Sequence, residues 1–364
     1  AECHSTGLRK GYDAKSDGFA TSWAEIDVGC EACHGPGEAH ATWARALPEG
    51  EKPEDRATGL LVKFAPGDAR YEIESCAPCH SRRTELGDFK HSELELLDSL
   101  VPSLLDEGLY HADGQILDEV YVYGSFLQSR MHAAGVVCTD CHNPHSVRLK
   151  IEGDALCAQC HAPDVFAVAD HHRHDADAAP ACVDCHMPAT NYMVVDPRRD
   201  HSLRVPRPDL SEALGTPNAC NACHSHKTAA WAAEVLERWY PDSPHRGPHF
   251  GQALHAGHSN SPQAPEHLLA LAADRKQPGI ARATALDRLQ DHAQPEQLMT
   301  VQRLLSDDDA LVRAAAVRWL ELADLRIRVD QGWTLLDDPA RTVRLEAARV
   351  LAPVSDQHLP DKFR

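Results

Sequence analysis

Apolar and polar positions follow two different rules along this chain. From about Pro265 onward they repeat with a period of 31 residues: Arg282, Arg313 and Arg344 align, as do Ala285, Ala316 and Ala347, and Leu289, Leu320 and Leu351. Each set lies on an amphipathic stretch such as Asp309 to Ala323, preceded by a shorter apolar one such as Glu296 to Leu305. A fixed period of paired helices predicts an α-α solenoid, in which each unit buries its apolar face only against its neighbours.

Before about Thr228 no such rule holds. Gly and Pro interrupt the chain repeatedly, as in Gly35-Pro36-Gly37, Asn143-Pro144 and Met187-Pro188. The best apolar-periodic stretch is Leu94 to Leu105, a helix expected to stop near Gly108. No alternating pattern lasts long enough to predict a sheet. A Pro-, Gly- and His-rich connection, Tyr240-Pro241-Asp242-Ser243-Pro244-His245 and then Pro248-His249-Phe250-Gly251, reads as a linker packed on something else. The expected fold class is mainly α: a loop-rich domain, then a solenoid. Asp308, Val312, Arg313 and Ala316 give the solenoid the form of short HEAT repeats. Tetratricopeptide repeats are the alternative, but their aromatic positions are missing.

The loop-rich part is ordered by one motif, Cys-x-x-Cys-His. It occurs at Cys30/Cys33/His34, Cys76/Cys79/His80, Cys138/Cys141/His142, Cys157/Cys160/His161, Cys182/Cys185/His186 and Cys220/Cys223/His224. Two thiols at this spacing can form thioethers to the two vinyl groups of a porphyrin, and the next residue's imidazole then falls on the iron. Zinc sites also use Cys-x-x-Cys pairs, two pairs closing one tetrahedron, but they place no demand on a histidine after each second cysteine. A thioredoxin-like motif would occur once, near a βαβ pattern. The expected cofactor is therefore haem c at six complete sites. The thirteenth cysteine, Cys3, stands before His4 near the first residue. It is read as the remainder of a seventh motif cut by the start of the chain, with a free thiol as the alternative. The domain division is then 1–237 for the haem domain, 238–264 for the linker and 265–364 for the repeats.

Composition sharpens this picture. Aromatic residues are only 5% and hydrophobic ones 43% of 364 residues, as expected where porphyrins fill a core in place of side chains. The net charge of −19 excludes nucleic acid as a partner. Ten carboxylates and one lysine, Lys90, fall between Glu85 and Glu119, either a solvated face or a docking face for a basic redox protein. No run is long enough for a membrane span. Haem attachment belongs to oxidising compartments, so the chain is expected in a bacterial periplasm or at the cell exterior. The oligomeric state is left open.

Seven irons would need seven opposite ligands. The 24 histidines supply more than enough once the motif histidines are set aside. The candidates are His40, His111, His132, His145, the cluster His171, His172 and His174, and His201. His145 stands too close to His142 to reach the far face of the same haem, so it and His132 are expected to serve neighbouring haems. His226, His245, His249, His255 and His258 rank below these, as do Met131, Met187 and Met193. The basic run Arg198, Arg199, Arg204 and Arg207 is a candidate partner for haem propionates.

The run Thr21-Ser22-Trp23-Ala24-Glu25-Ile26-Asp27-Val28-Gly29, continuing through Cys30 to Gly37, resembles the multihaem cytochromes related to cytochrome c554. Tyr121 to Phe126, Cys138 to His145 and Cys182 to Pro188 are similar to its paired-CxxCH branch, whose members often carry a HEAT or tetratricopeptide tail. The resemblance covers nearly the whole chain. It implies a further haem upstream of Ala1, an octahaem parent, export, and mostly bis-histidine irons, with no settled substrate. The leading expectation is an electron-transfer protein whose repeats dock a redox partner protein. The alternatives are an oxidoreductase acting on a small nitrogen or sulfur compound at one open haem, and a subunit of a conducting filament. No Cys-x-x-Cys-Lys variant is present, which favours the first, with no catalytic residue assigned.

Overall fold

The computed structural model describes residues 2–50, 58–64, 69–87, 95–355, 357 and 359. It is mainly helical, and its described strands form four antiparallel pairs, each of two short strands. The chain divides into two compact units, Ala1–Pro102 with Ala340–Thr342, and Ser103–Pro339 with Val343–Arg364.

In the first unit, helices Glu31–His34 and Glu38–Ala46 flank the Gly35-Pro36-Gly37 turn, and helix Ala69–His80 carries the second motif at its end. Its core is small: Val62, Ile73, Ala77, Leu96 and Leu100 are buried. The helix expected over Leu94 to Leu105 is cut short. Leu94 lies outside the described residues, only Leu96–Ser99 is helical, and Leu100–Pro102 turns extended to pair with Arg83–Glu85. Pro102 is the physical reason. It cannot donate into a helix, and it biases the residue before it toward extended backbone. The acidic stretch Glu85 to Glu119 lies partly outside the described residues.

The second unit holds four motifs and the helix pairs. The pairs are Ala264–Ala273 with Gly279–Leu289, Leu298–Leu304 with Ala310–Arg318, and Leu325–Thr334 with Arg341–Leu351. The aligned alanines 285, 316 and 347 are all fully buried, so nothing larger than a methyl group fits between neighbouring helices. The aligned arginines explain the period. Arg282 binds both carboxylate oxygens of Asp307 at 3.1 and 2.6 Å, and Arg313 binds both of Asp338 at 2.8 and 2.9 Å. Each guanidinium thus ties its helix to the loop of the following repeat. Arg344 ends the series on the carbonyls of Asp338 and Pro339.

Compactness does not break at residue 237. Helix Phe250–His258 lies inside the stretch read as a linker, with Phe250 and Leu254 buried. Its Gly251 is pressed against Asp113, where a Cβ would come within 2.7 Å of the Asp113 Cα. The backbone N–H of Leu105 donates to Thr284 Oγ1 at 3.0 Å. The first helices of the repeats therefore pack against residues 103–128.

Candidate functional site

Most motif cysteines sit at the two ends of a single helical turn. Cys138–Cys141, Cys182–His186 and Cys220–Cys223 are such turns, and Cys157 and Cys160 close the 3-10 helix Gly153–Gln159. Residues three apart share a helix face, so each pair presents both thiols on one side. Asp140 and Asp184 stiffen two of the turns by accepting the backbone N–H of Val137 and Ala181 at 2.9 and 3.1 Å. Among the described residues no two cysteines are joined by a disulfide. Burial raises several of their pKa values, Cys79 to about 11 and Cys182 to about 12, with neighbouring thiols and Asp154 adding to the effect.

Those neighbouring thiols reveal the order of the sites. Cys79 feels Cys3 and Cys33 within the first unit. In the second unit Cys141 feels Cys157 and Cys160, Cys182 feels Cys157, and Cys185 feels Cys220 and Cys223. The four motifs there adjoin end to end in chain order.

Histidine chemistry sorts the candidate ligands. A carbonyl oxygen can only accept, so a ring Nδ1 bound to one carries the proton and leaves Nε2 with a free lone pair for a metal. His201 Nδ1 donates to the Arg199 carbonyl at 2.9 Å, His40 Nδ1 to Thr58 at 2.6 Å, and His174 Nδ1 to His172. Among motif histidines, His186 Nδ1 donates to Arg204 at 2.8 Å and His34 Nδ1 to Val62 at 3.0 Å. A backbone N–H can only donate, which gives the opposite tautomer. His172 Nδ1 accepts the N–H of His174 at 3.2 Å, and His249 Nδ1 accepts that of Gly251 at 3.1 Å. Both then carry the proton on Nε2, the nitrogen a metal would need.

Among the described residues three motif histidines each meet a second imidazole ring. His142 and His201 have centroids 6.3 Å apart with planes at 23°, His186 and His171 6.1 Å at 14°, and His224 and His174 6.2 Å at 27°. A metal–imidazole bond of about 2.0–2.1 Å on each side, plus about 1.2 Å from nitrogen to ring centre, gives about 6.4–6.6 Å across one metal ion when the bonds are collinear, and slightly less when they bend. The residues therefore fit a haem held by two thioethers and two imidazoles. Distance alone is not enough, since His172 and His174 also lie 6.2 Å apart at 39°. There the tautomer of His172 decides.

Each partner ring is held from outside the motif it faces. His201 follows the hairpin Ala189–Tyr192/Asp196–Arg199 and sits between the buried Asp200 and Ser202. The hairpin is anchored by Tyr192, whose hydroxyl accepts the N–H groups of Val120 and Tyr121 at 3.0 and 3.1 Å. His171 lies on the short helix Ala169–His172. Burial lowers the pKa values of His142 and His171, and nearby His186 and His172 add to the effect at His171, which keeps them neutral as ligation requires.

Other candidates are placed differently. His40 packs beside Trp43, and His132 stands edge-on to Phe126. His111 precedes the turn at Gly114 and is kept neutral by burial, with Arg204 adding to the effect against Asp113. His145 is exposed, its backbone N–H held by Asn143. Carboxylates already engage the basic run: Arg198 pairs with Asp196, Arg199 with Asp184, Arg204 with Asp113 and Asp200, and Arg207 with Asp209. A cavity of about 440 Å³ lies beside Asn221 and Ala222 of the last motif, lined also by Ile116, Thr190 and Asp200. Among the described residues no helix is long and apolar enough to cross a membrane.

A family model for the doubled CXXCH motif matches residues 132–166, the segment with the third and fourth motifs. Among solved structures, the chain is similar to the crystal structure of the outer cell wall cytochrome OcwA, with 18% identity and a TM-score of 0.44 over 86% of this chain and 74% of that one. So loose a likeness carries no weight for the site. No curated protein matches the chain.

Proposed function

We propose that this chain, a multihaem c-type cytochrome, carries electrons along a row of bis-histidine haems. The observation that carries the reading is the set of three facing ring pairs, His142/His201, His186/His171 and His224/His174, at 6.1–6.3 Å. Haem c supplies a ferric/ferrous couple when bound. Two histidines on one iron leave no position for a substrate, which suits electron transfer and not bond making. The adjoining thiols support closely spaced haems, four in the second unit and the Cys30 and Cys76 sites in the first, where Cys3 lies near Cys79. His201, His171 and His174 are the opposite ligands we assign; His172 is a scaffold for His174. His40 has the ligand tautomer and remains a candidate in the first unit, as do His111, His132 and His145 in the second.

The helix pairs are proposed as a docking platform of HEAT type, and the partner as a redox protein whose basic surface complements the net charge of −19. A periplasmic or extracellular location follows from the chemistry of haem attachment.

One observation favours a second reading. Among the described residues His161 meets the ring of Phe166, at 5.4 Å and 89°, and no histidine ring. This site is where an open iron would be, and the chain would then be an oxidoreductase. Carbon monoxide titration of the fully reduced protein separates the two. Electron transfer alone expects no stoichiometric adduct. One adduct per chain, abolished by the double substitution Cys157→Ala and Cys160→Ala, would establish the second reading.

A further inference from the structure

His171 and His174 stand three residues apart yet face different motif histidines, His186 and His224. The turn between them makes this possible. Helix Ala169–His172 ends on Arg173 in the left-handed conformation, φ 57° and ψ 31°, which costs a residue with a Cβ about 1–2 kcal/mol. Outside contacts hold that turn. The Arg173 guanidinium lies over the Tyr240 ring, 5.6 Å from its centroid, and the Tyr240 hydroxyl donates to the His171 carbonyl.

Tyr240 caps helix Ala229–Trp239, whose start is fixed by Thr228 Oγ1 accepting the Trp231 N–H at 3.1 Å. Trp231 and Trp239, eight residues apart, fall on one face of that helix. Trp231 packs against His224 at 5.1 Å, and Trp239 stands edge-on to His174 at 6.3 Å. One helix thus touches both imidazoles of one pair and, through its cap, the backbone that carries His171.

We propose that the tetrapeptide His171-His172-Arg173-His174 is a shared clamp on two successive haems, with Trp239, Tyr240 and Arg173 as the positioning residues that set its two imidazoles. The inference rests on the bis-histidine reading. It adds that the two sites are adjusted together by one brace, while their neighbours are not. Imidazole orientation and the bonds behind it are levers on a haem's low-spin signal and potential.

The test uses purified protein with its full haem content, confirmed optically, and reads ferric electron paramagnetic resonance and the redox titration. His171→Ala and His174→Ala come first, because each should turn one iron high-spin and so assign two of the low-spin signals. Trp239→Leu should then shift the His174 signal and Trp239→Phe restore it. Tyr240→Phe, which keeps the ring volume, should shift the His171 signal. Arg173→Gly should shift both, with all other signals superimposable on the parent. Silence of the brace variants, or changes spread over every haem, would overturn the clamp while leaving the ligand assignment standing. If neither alanine variant yields a high-spin iron, the ligand assignment itself fails.

Discussion

Two stretches of the second unit contrast in what holds them. From Arg130 to Asn191 no described side chain is buried. From Ala264 to Leu351 the chain buries Leu268, Ile280, Leu286, Val312, Trp319 and many more. The helix pairs owe their order to apolar area, worth about 25 cal/mol per Å² removed from water, and to buried Arg–Asp pairs. The motif stretch has hairpins, single helical turns and side-chain caps, none of which suffices alone. On the proposed function its order comes from covalent and metal bonds to haem. A cytochrome can thus dispense with a polypeptide core only where the cofactor stands in for one.

The largest effect follows from withholding haem. Protein made without haem attachment should lose nearly all hydrogen-exchange protection over residues 130–228 while the helix pairs keep theirs. Equal protection in both forms would show that the polypeptide alone orders the motif stretch. The next effect belongs to the helix pairs. Asp307→Ala leaves Arg282 buried without its partner and should cost about 3–5 kcal/mol in denaturant unfolding, with the haem signals of the folded protein unchanged. A cost below 1 kcal/mol would mean that the ladder is replaceable packing.

A smaller effect depends on pH. Burial, with Arg204 and then Arg207 nearby, holds the pKa of His249 down at about 4. Protonation therefore favours the unfolded chain. The contribution is whole above the ordinary histidine value and is lost as pH falls from about 6.5 toward 4, by up to about 3 kcal/mol. His249→Asn, which can still cap the helix at Gly251, should flatten the stability profile in that window. An unchanged profile would place the acid sensitivity elsewhere. The smallest effect is at the hairpin tip, where Val194 is 84% exposed with φ 73°. Val194→Gly relieves that strain against the entropy that glycine loses on folding, a net gain of about 0.5–1 kcal/mol. A loss of stability would show that the valine makes a contact worth more than its strain.

The legible parts of this molecule were the local ones. The motifs and the 31-residue period are written within short windows, and Asp309 caps its helix by accepting the Leu311 N–H at 2.8 Å, close to where the amphipathic pattern begins. The pairing of His201 with His142 depends on a hairpin, an anchor at Tyr192 and the turn at Asp200, contacts that no spacing rule encodes. Nor could sequence divide His171 and His174 from His172, because the division rests on which nitrogen meets a carbonyl. What the stretch read as a packed linker packs on was not legible either: Gly251 lies close against Asp113, and a glycine reads alike as hinge or as contact.

On the proposed function, facing imidazoles close three of the four irons of the second unit. Ferric electron paramagnetic resonance of the parent protein beside His201→Ala tests it most directly. Low-spin signals are expected in the parent and one new high-spin iron per chain in the variant, at unchanged haem content. A variant spectrum identical to the parent's would contradict it.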